Sequence, residues 1–247
     1  MAYGLLKGKK AILTGARGLA EGIAEGFTRE GAEVVVFSKS DSAQRLVDEG
    51  RARYAVRMDL SDRKQCAAAF EKALGLLGGR LDILVNCAGI QRRHNPEDFP
   101  MEDWDEVLEV NLTATFEMCQ MAGRVMLRQG RGKIINIASM QSFFGGTRIP
   151  AYAASKGGVA QMTKTLSDDW AAKGINVNAI APGYMATEMN AALIADPERS
   201  ASILKRIPAG RWGTGEDMAG PCIFLASELS DYLSGAIIPV DGGYLGC

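Results

Sequence analysis

Short runs of aliphatic and β-branched residues alternate with longer stretches of helical periodicity along the whole 247-residue chain. The strand-sized runs fall at 10–14, 33–38, 53–58, 82–86, 133–139, 175–180 and 236–240. Helical patterns occupy 18–30, 41–49, 62–77, 102–129, 150–173 and 215–228. Strands that alternate with helices in this way must run parallel, and a parallel sheet is covered on both faces. The pattern therefore predicts an α/β fold, a doubly wound (Rossmann) parallel sheet of about seven strands with helices on both faces. No Pro/Ser-rich linker or charge run divides the chain, so residues 1–247 are expected to form one domain. The segment 184–212 breaks the rhythm and carries short helical patterns of its own, as a lid or substrate loop does. Along the helix opening at Pro150, Val159, Met162, Leu166 and Trp170 form an apolar stripe beside the small Ala153, Ala154, Gly157 and Gly158. That helix reads equally as core packing and as a subunit interface.

In sheets of this kind ligands bind beyond the carboxyl ends of the strands, and Gly15, Asn86, Ser139 and Pro182 all fall at such ends. Lys10-Ala-Ile-Leu-Thr-Gly15 followed by Ala-Arg-Gly-Leu-Ala20 and a helix is the strand-turn-helix context of a phosphate-binding glycine turn, with Gly15, Arg17, Gly18 and Leu19 as its members. An ordinary tight loop has the same appearance. Asp59 and Leu60, after the third strand, stand where an adenine amino group would be met, although Asp59 equally suits a cap for the helix starting near Ser61. Ala88 and Gly89 are small enough to let a flat ring approach the backbone. The second strand ends in Ser38 and Lys39, with no carboxylate to hold a ribose 2′-hydroxyl, which favours NADP(H) over NAD(H).

Tyr152 and Lys156 stand four residues apart, so on a helix they share a face. Alone, such a pair also reads as an amphipathic surface. As a chemical device it places a cation one turn from a phenol, which is expected to lower the phenol's pKa from about 10. Ser139, at the end of the run Lys133-Ile-Ile-Asn-Ile-Ala-Ser139, is placed to polarise a substrate oxygen beside it.

Charge and cysteine content narrow the choices. Lys and Arg total 28 against 29 Asp and Glu, a net charge of −1 without a basic cluster, so nucleic acid is not an expected partner. One histidine, His94, and five cysteines without a C-x-x-C spacing leave no expected metal site. The apolar runs are too short for a membrane span, and free thiols without a signal peptide point to the cytoplasm.

Thr14-Gly15, Gly18, Asn86-Cys-Ala-Gly89, Asn111, Ser139, Tyr152-x-x-x-Lys156 and Pro182-Gly183 together resemble the short-chain dehydrogenase/reductase family over essentially the full length. The resemblance implies an NAD(P)(H)-dependent enzyme in which Tyr152 is the general acid-base, Lys156 holds the nicotinamide ribose, Ser139 positions the carbonyl and Asn111 holds a relay water. It also implies cofactor contacts from Asn86, Ala88, Gly89, Pro182, Gly183 and Thr187, and a homotetramer. The family turn reads Thr-Gly-x-x-x-Gly-x-Gly, whereas Thr14-Gly-Ala-Arg-Gly-Leu-Ala20 is one residue shorter and ends in alanine. A shorter turn presents different backbone N–H groups to a pyrophosphate, or brings Gly22 into a shifted register. Gly89-Ile-Gln-Arg-Arg, Gly145-Gly-Thr-Arg-Ile-Pro-Ala-Tyr152 and Arg206-Ile-Pro-Ala-Gly-Arg-Trp-Gly213 look like the gluconate and deoxygluconate dehydrogenase branch. Arg92, Arg93 and Arg148 then suit a substrate carboxylate, with Gln141 beside them. A different ketone, such as a 3-oxoacyl thioester or a cyclic one, and a non-catalytic dinucleotide-binding protein are the alternatives.

Overall fold

The computed structural model describes residues 2–247. Seven strands form one sheet: β1 Lys10–Thr14, β2 Glu33–Ser38, β3 Tyr54–Arg57, β4 Ile83–Asn86, β5 Gly132–Ile137, β6 Ile175–Pro182 and β7 Ile237–Val240. Their order across the sheet is β3-β2-β1-β4-β5-β6-β7, and every neighbouring pair is parallel. The order reverses between β1 and β4, and a crevice opens beyond their carboxyl ends.

Alternation along each strand divides the core in two. Leu13, Val34, Val36, Ile83 and Val85 pack into one layer with Ile23 and Phe27 of α1 (Leu19–Arg29) and Met218 and Cys222 of α9 (Gly215–Ala226). Ile12, Val35, Phe37 and Leu84 point the other way, into a layer with Phe70 of α3 (Arg63–Leu76), Met118 of α5 (Ala114–Gln129) and Leu166 of α6 (Pro150–Trp170). The first layer is closed by a helix contact without side chains: a Cβ on Gly22 of α1 would overlap the Gly215 carbonyl of α9. Gly22 therefore serves packing, and it does not enter the glycine turn.

The long helical pattern at 102–129 is interrupted. It resolves into α4 (Met101–Leu108), a π-helical turn at Glu109–Thr113 and α5. The inserted residue of such a turn re-aims the side chains around it, and here those include Asn111. Between β6 and α9 the segment that breaks the βα rhythm contains a 3-10 turn Glu188–Asn190 and two short helices, α7 Ala191–Ile194 and α8 Pro197–Leu204. It packs through Tyr184, which meets Trp212 edge-on at 5.5 Å and Tyr244 at 5.4 Å between ring centroids.

Candidate active site

A cleft of about 440 Å³ lies over the carboxyl ends of the central strands. Its wall is laid down by Gly15, Arg17, Gly18 and Leu19 of the first turn, by Ser38 and Lys39 after β2, by Asp59 and Leu60 after β3, and by Ala88 and Gly89 after β4. Ser139, Tyr152, Lys156, Pro182, Gly183 and Thr187 complete it. Most of the expected site residues thus share one cavity.

The turn after β1 keeps two left-handed glycines despite its missing residue. Gly15 and Gly18 hold φ of 91° and 57°, a region that side chains with a Cβ rarely adopt. Gly18 is the N-cap of α1 and offers no side-chain cap, so the first-turn N–H groups of α1 remain open toward the cleft. Such groups, with the positive end of the helix dipole, suit a phosphate. A Cβ on Gly15 would meet the Ala20 methyl group at 3.3 Å and the Ala88 nitrogen at 3.4 Å, close contacts that a small shift relieves, so it is the positive φ that calls for glycine here. Thr14 ties the two central strands, its hydroxyl accepting from the Cys87 and Ala88 N–H groups at 3.0 and 3.1 Å.

At the far side of the turn, the Ser38, Ser40 and Ser42 hydroxyls cluster within 2.9–3.3 Å of one another. Lys39 is ion-paired to Asp59 at 3.4 Å, and Arg17 to Glu188 at 2.9 Å. Asp59 does not cap α3; Asp62 does, accepting from the Lys64 and Gln65 N–H groups. Asp59 instead accepts from the backbone and hydroxyl of Ser61, which with Lys39 hold its carboxyl below the usual range. These residues fit a dinucleotide, with a phosphate-binding helix start, a flat floor and a cation- and hydroxyl-lined end.

Tyr152 and Lys156 form the opposite end. α6 begins at Pro150, whose missing N–H is harmless in a first turn, so both residues lie near the open start of the helix. Lys156 is buried and donates to the Ile137 carbonyl, the last of β5, at 2.6 Å. Burial pulls its ammonium down to about 8, and the Cys87 thiol beside it works in the opposite direction. Its nitrogen lies 5.8 Å from the centre of the Tyr152 ring. The expected lowering of the phenol by this cation is not found. Burial pushes Tyr152 up, the Ser139 hydroxyl lowers it, and Cys87 adds a further rise. Burial is the leading cause, and the Lys156 ammonium donates to the Ile137 carbonyl with no hydrogen bond to the phenol oxygen among the described residues.

Two other expectations change. Asn111 is fully buried, and its amide is spent on protein: Oδ1 accepts from the Ile90 N–H at 2.8 Å, while Nδ2 donates to the Ile90 carbonyl at 2.9 Å and to Ser155 Oγ at 3.1 Å. It clamps the loop after β4 to α6, with Gly89 packed against it. Asn86 is likewise turned into the interior, where Nδ2 donates to Asn136 Oδ1 at 2.9 Å across the β4–β5 register. Its side chain is scaffold and does not line the cleft.

Arg92, Arg148 and Gln141, expected at the substrate, do not line the cleft, and Arg92 is taken up by Glu106 at 2.6 Å and Asp103 at 3.4 Å, so it is not a free carboxylate receptor. Arg93 differs. It has no carboxylate partner among the described residues, and burial with Arg199 and Arg148 nearby holds its guanidinium below its usual value. Arg148 has φ of 65°, the one non-glycine residue with positive φ among those described, and its carbonyl accepts from the His94 N–H at 3.2 Å. Gln141 Oε1 is buried without a partner. Sequence reasoning missed Ser40, Ser42, Cys87, Ile137 and Glu188. Of these, only the serine run Ser38-Lys-Ser-Asp-Ser42 carried a local signal; the others depend on which strands and loops are neighbours.

Comparison with known proteins places this geometry in context. The family model described as enoyl-(acyl carrier protein) reductase matches residues 14–245. The 2-dehydro-3-deoxy-D-gluconate 5-dehydrogenase of Bacillus subtilis is 49% identical over 246 residues, covering 97% of this chain and 96% of the relative. That of Dickeya dadantii is 46% identical over 245 residues, with the same coverage. Among solved structures, the gluconate 5-dehydrogenase of Burkholderia cenocepacia in complex with NADP and tartrate superposes with a TM-score of 0.92 at 40% identity, over 99% of this chain and 98% of that one.

Proposed function

The chain belongs to the short-chain dehydrogenase/reductase family of NAD(P)-dependent oxidoreductases acting on CH–OH groups, and on that premise we propose that it interconverts a sugar-acid ketone and its alcohol with NADP(H). The observation that carries the reading is the junction of two half-sites in one cleft, a dinucleotide cradle from Gly15 to Asp59 and the Ser139-Tyr152-Lys156 group. The cofactor, when bound, supplies or accepts the hydride. Everything else falls to the chain's own residues.

Tyr152 carries the proton to or from the substrate oxygen. Because burial keeps its phenol protonated at neutral pH, it is ready as the acid of the reductive direction. Ser139 holds the same oxygen and favours the phenolate left after transfer, since it lowers the Tyr152 pKa. Lys156, anchored on Ile137, presents its remaining N–H groups to the ribose side of the cleft. Thr187 and Pro182-Gly183 bound the nicotinamide end, and Asn111 is a positioning residue that fixes the loop through Ile90.

A carboxylate on the substrate is supported by Arg93, Arg148 and Arg199, three cations without a carboxylate partner among the described residues. Uncompensated guanidinium groups near one another repel, and an anion relieves that repulsion. The tartrate in the Burkholderia neighbour is a dicarboxylate, and the curated relatives act on a sugar acid. An acyl thioester is the second reading, favoured by the description of the matching family model. It leaves the arginines without work. Apolar side chains exposed on α5 and near α9, such as Phe116, Phe224 and Leu229, support assembly as a homotetramer. No helix among the described residues is long and apolar enough to cross a membrane.

The test is an absorbance assay at the reduced-nicotinamide band with gluconate, 2-dehydro-3-deoxygluconate, a 3-oxoacyl thioester and a cyclic alcohol, each against both cofactors. Turnover confined to the sugar acids, with a higher kcat/KM for NADP(H), is the expected result. Preference for the thioester or for NAD(H) overturns it.

A further inference from the structure

Both cations that line the cleft beside the glycine turn and the end of β2 are already paired with carboxylates of the protein, and the two pairs are built differently. Asp59, the partner of Lys39, is fixed by two hydrogen bonds from Ser61 and belongs to the rigid end of β3. The carboxylate of Glu188, the partner of Arg17, has no other hydrogen bond among the described residues, and Glu188 opens the first turn after Thr187. Side chains of this pair are 58% and 75% exposed, so it is weakly held, yet it joins the glycine turn to the lid. The next residue back, Thr187, already rests against Gly18, and a Cβ there would lie 3.0 Å from its methyl group. Ser38, Ser40 and Ser42 face the same space and bring hydroxyls but no charge.

We propose that Glu188 is a specificity-determining residue for the cofactor: it holds Arg17 in the free protein and must release it to a 2′-phosphate. This deepens the NADP(H) reading and rests on it. A phosphate monoester carries about −1.5 to −2 charge and takes a guanidinium by two parallel hydrogen bonds, so it outcompetes a solvated carboxylate. A dinucleotide lacking that phosphate leaves Arg17 with Glu188 and the lid tethered. Glu188 therefore taxes the phosphorylated cofactor selectively, and the exchange frees the first lid turn when the correct dinucleotide arrives.

The experiment is a double-mutant cycle read by nicotinamide fluorescence, titrating NADPH and NADH into wild type, Glu188→Gln, Arg17→Ala and the double variant at fixed ionic strength. Glu188→Gln should tighten NADPH about two- to five-fold, the scale of an exposed ion pair, with NADH changed by less than about 1.5-fold. In the Arg17→Ala background the NADPH gain should vanish. Equal tightening of both dinucleotides would place Arg17 on the shared pyrophosphate and overturn the inference, as would a gain that survives Arg17→Ala or no gain at all. All four proteins keep the core intact, since both side chains are exposed. Absence of saturable binding of either dinucleotide to wild type would sink the cofactor reading together with this one; binding without coupling sinks this one alone.

Discussion

At the residue scale the protein keeps three groups near the reaction centre away from their ordinary protonation behaviour by burial. The Tyr152 phenol is raised, the Cys87 thiol is pushed up to about 12, and the Lys156 ammonium is pulled down to about 8. A buried ammonium on one backbone carbonyl is costly, and its cost depends on pH. Its folded pKa of about 8 lies below the unfolded value of about 10.5, so between these the unfolded chain binds more protons and stability rises with pH. Below pH 8 the penalty is fully present. Comparing wild type with Lys156→Met in urea at pH 7.5 and 9, we expect the difference to shift in favour of wild type by about 1 kcal/mol, because the variant lacks this titration. The thiols raised by burial oppose it above pH 9 but are common to both proteins. An unchanged difference would mean that Lys156 is not held as a perturbed base. The pairing of Tyr152 and Lys156 was readable in the sequence because i to i+4 on a helix is local geometry, and Ser139 was readable as the end of an apolar strand run. The Ile137 carbonyl that holds Lys156 was not, since it depends on how α6 lies against the end of β5. Arg92 misled for the same reason: its partners Asp103 and Glu106 come from α4, beyond an intervening loop.

At the element scale, two departures from regularity position the site. The π-helical turn at Glu109–Thr113 turns Asn111 inward, where it clamps both backbone groups of Ile90 and so sets the path of the loop carrying Ala88 and Gly89. From sequence this stretch reads as one helix, because a single inserted residue barely disturbs the apolar period. The second departure is the glycine contact between α1 and α9, where a Cβ on Gly215 would also meet the Gly18 carbonyl of the short turn. Gly22→Ala drives a methyl group into the Gly215 backbone, and overpacking of this kind costs about 1–3 kcal/mol. Chemical denaturation should show the midpoint falling accordingly, with dinucleotide affinity also reduced because the helices bracket the turn. An unchanged midpoint would show that the two helices separate freely and that Gly22 has another role. Strand positions and the parallel sheet were readable from hydrophobic runs and the alternation with helices, with some ends displaced by one or two residues.

At the scale of the whole molecule, the reversal of strand order between β1 and β4 converts separate sequence motifs into one cleft. The dinucleotide cradle comes from the strands on one side and the proton-transfer group from those on the other, so neither half acts alone. The segment 184–212 rests on Gly18 through Thr187 near its start and on Gly242 through Ile207 and Ala209 near its end. Motif order along the chain predicted this convergence, but it did not predict the pairing of charges across the cleft, because Arg17 and Glu188 meet only after the sheet has closed. The measurement that tests the account most directly is Tyr152→Phe assayed for sugar-acid turnover and NADPH binding in the same preparation. Loss of the phenol proton with retention of the ring should lower kcat by about 10² to 10⁴ while the NADPH dissociation constant stays within a few-fold of wild type. Turnover close to the wild-type rate would contradict the assignment of the proton to Tyr152, and with it the mechanism.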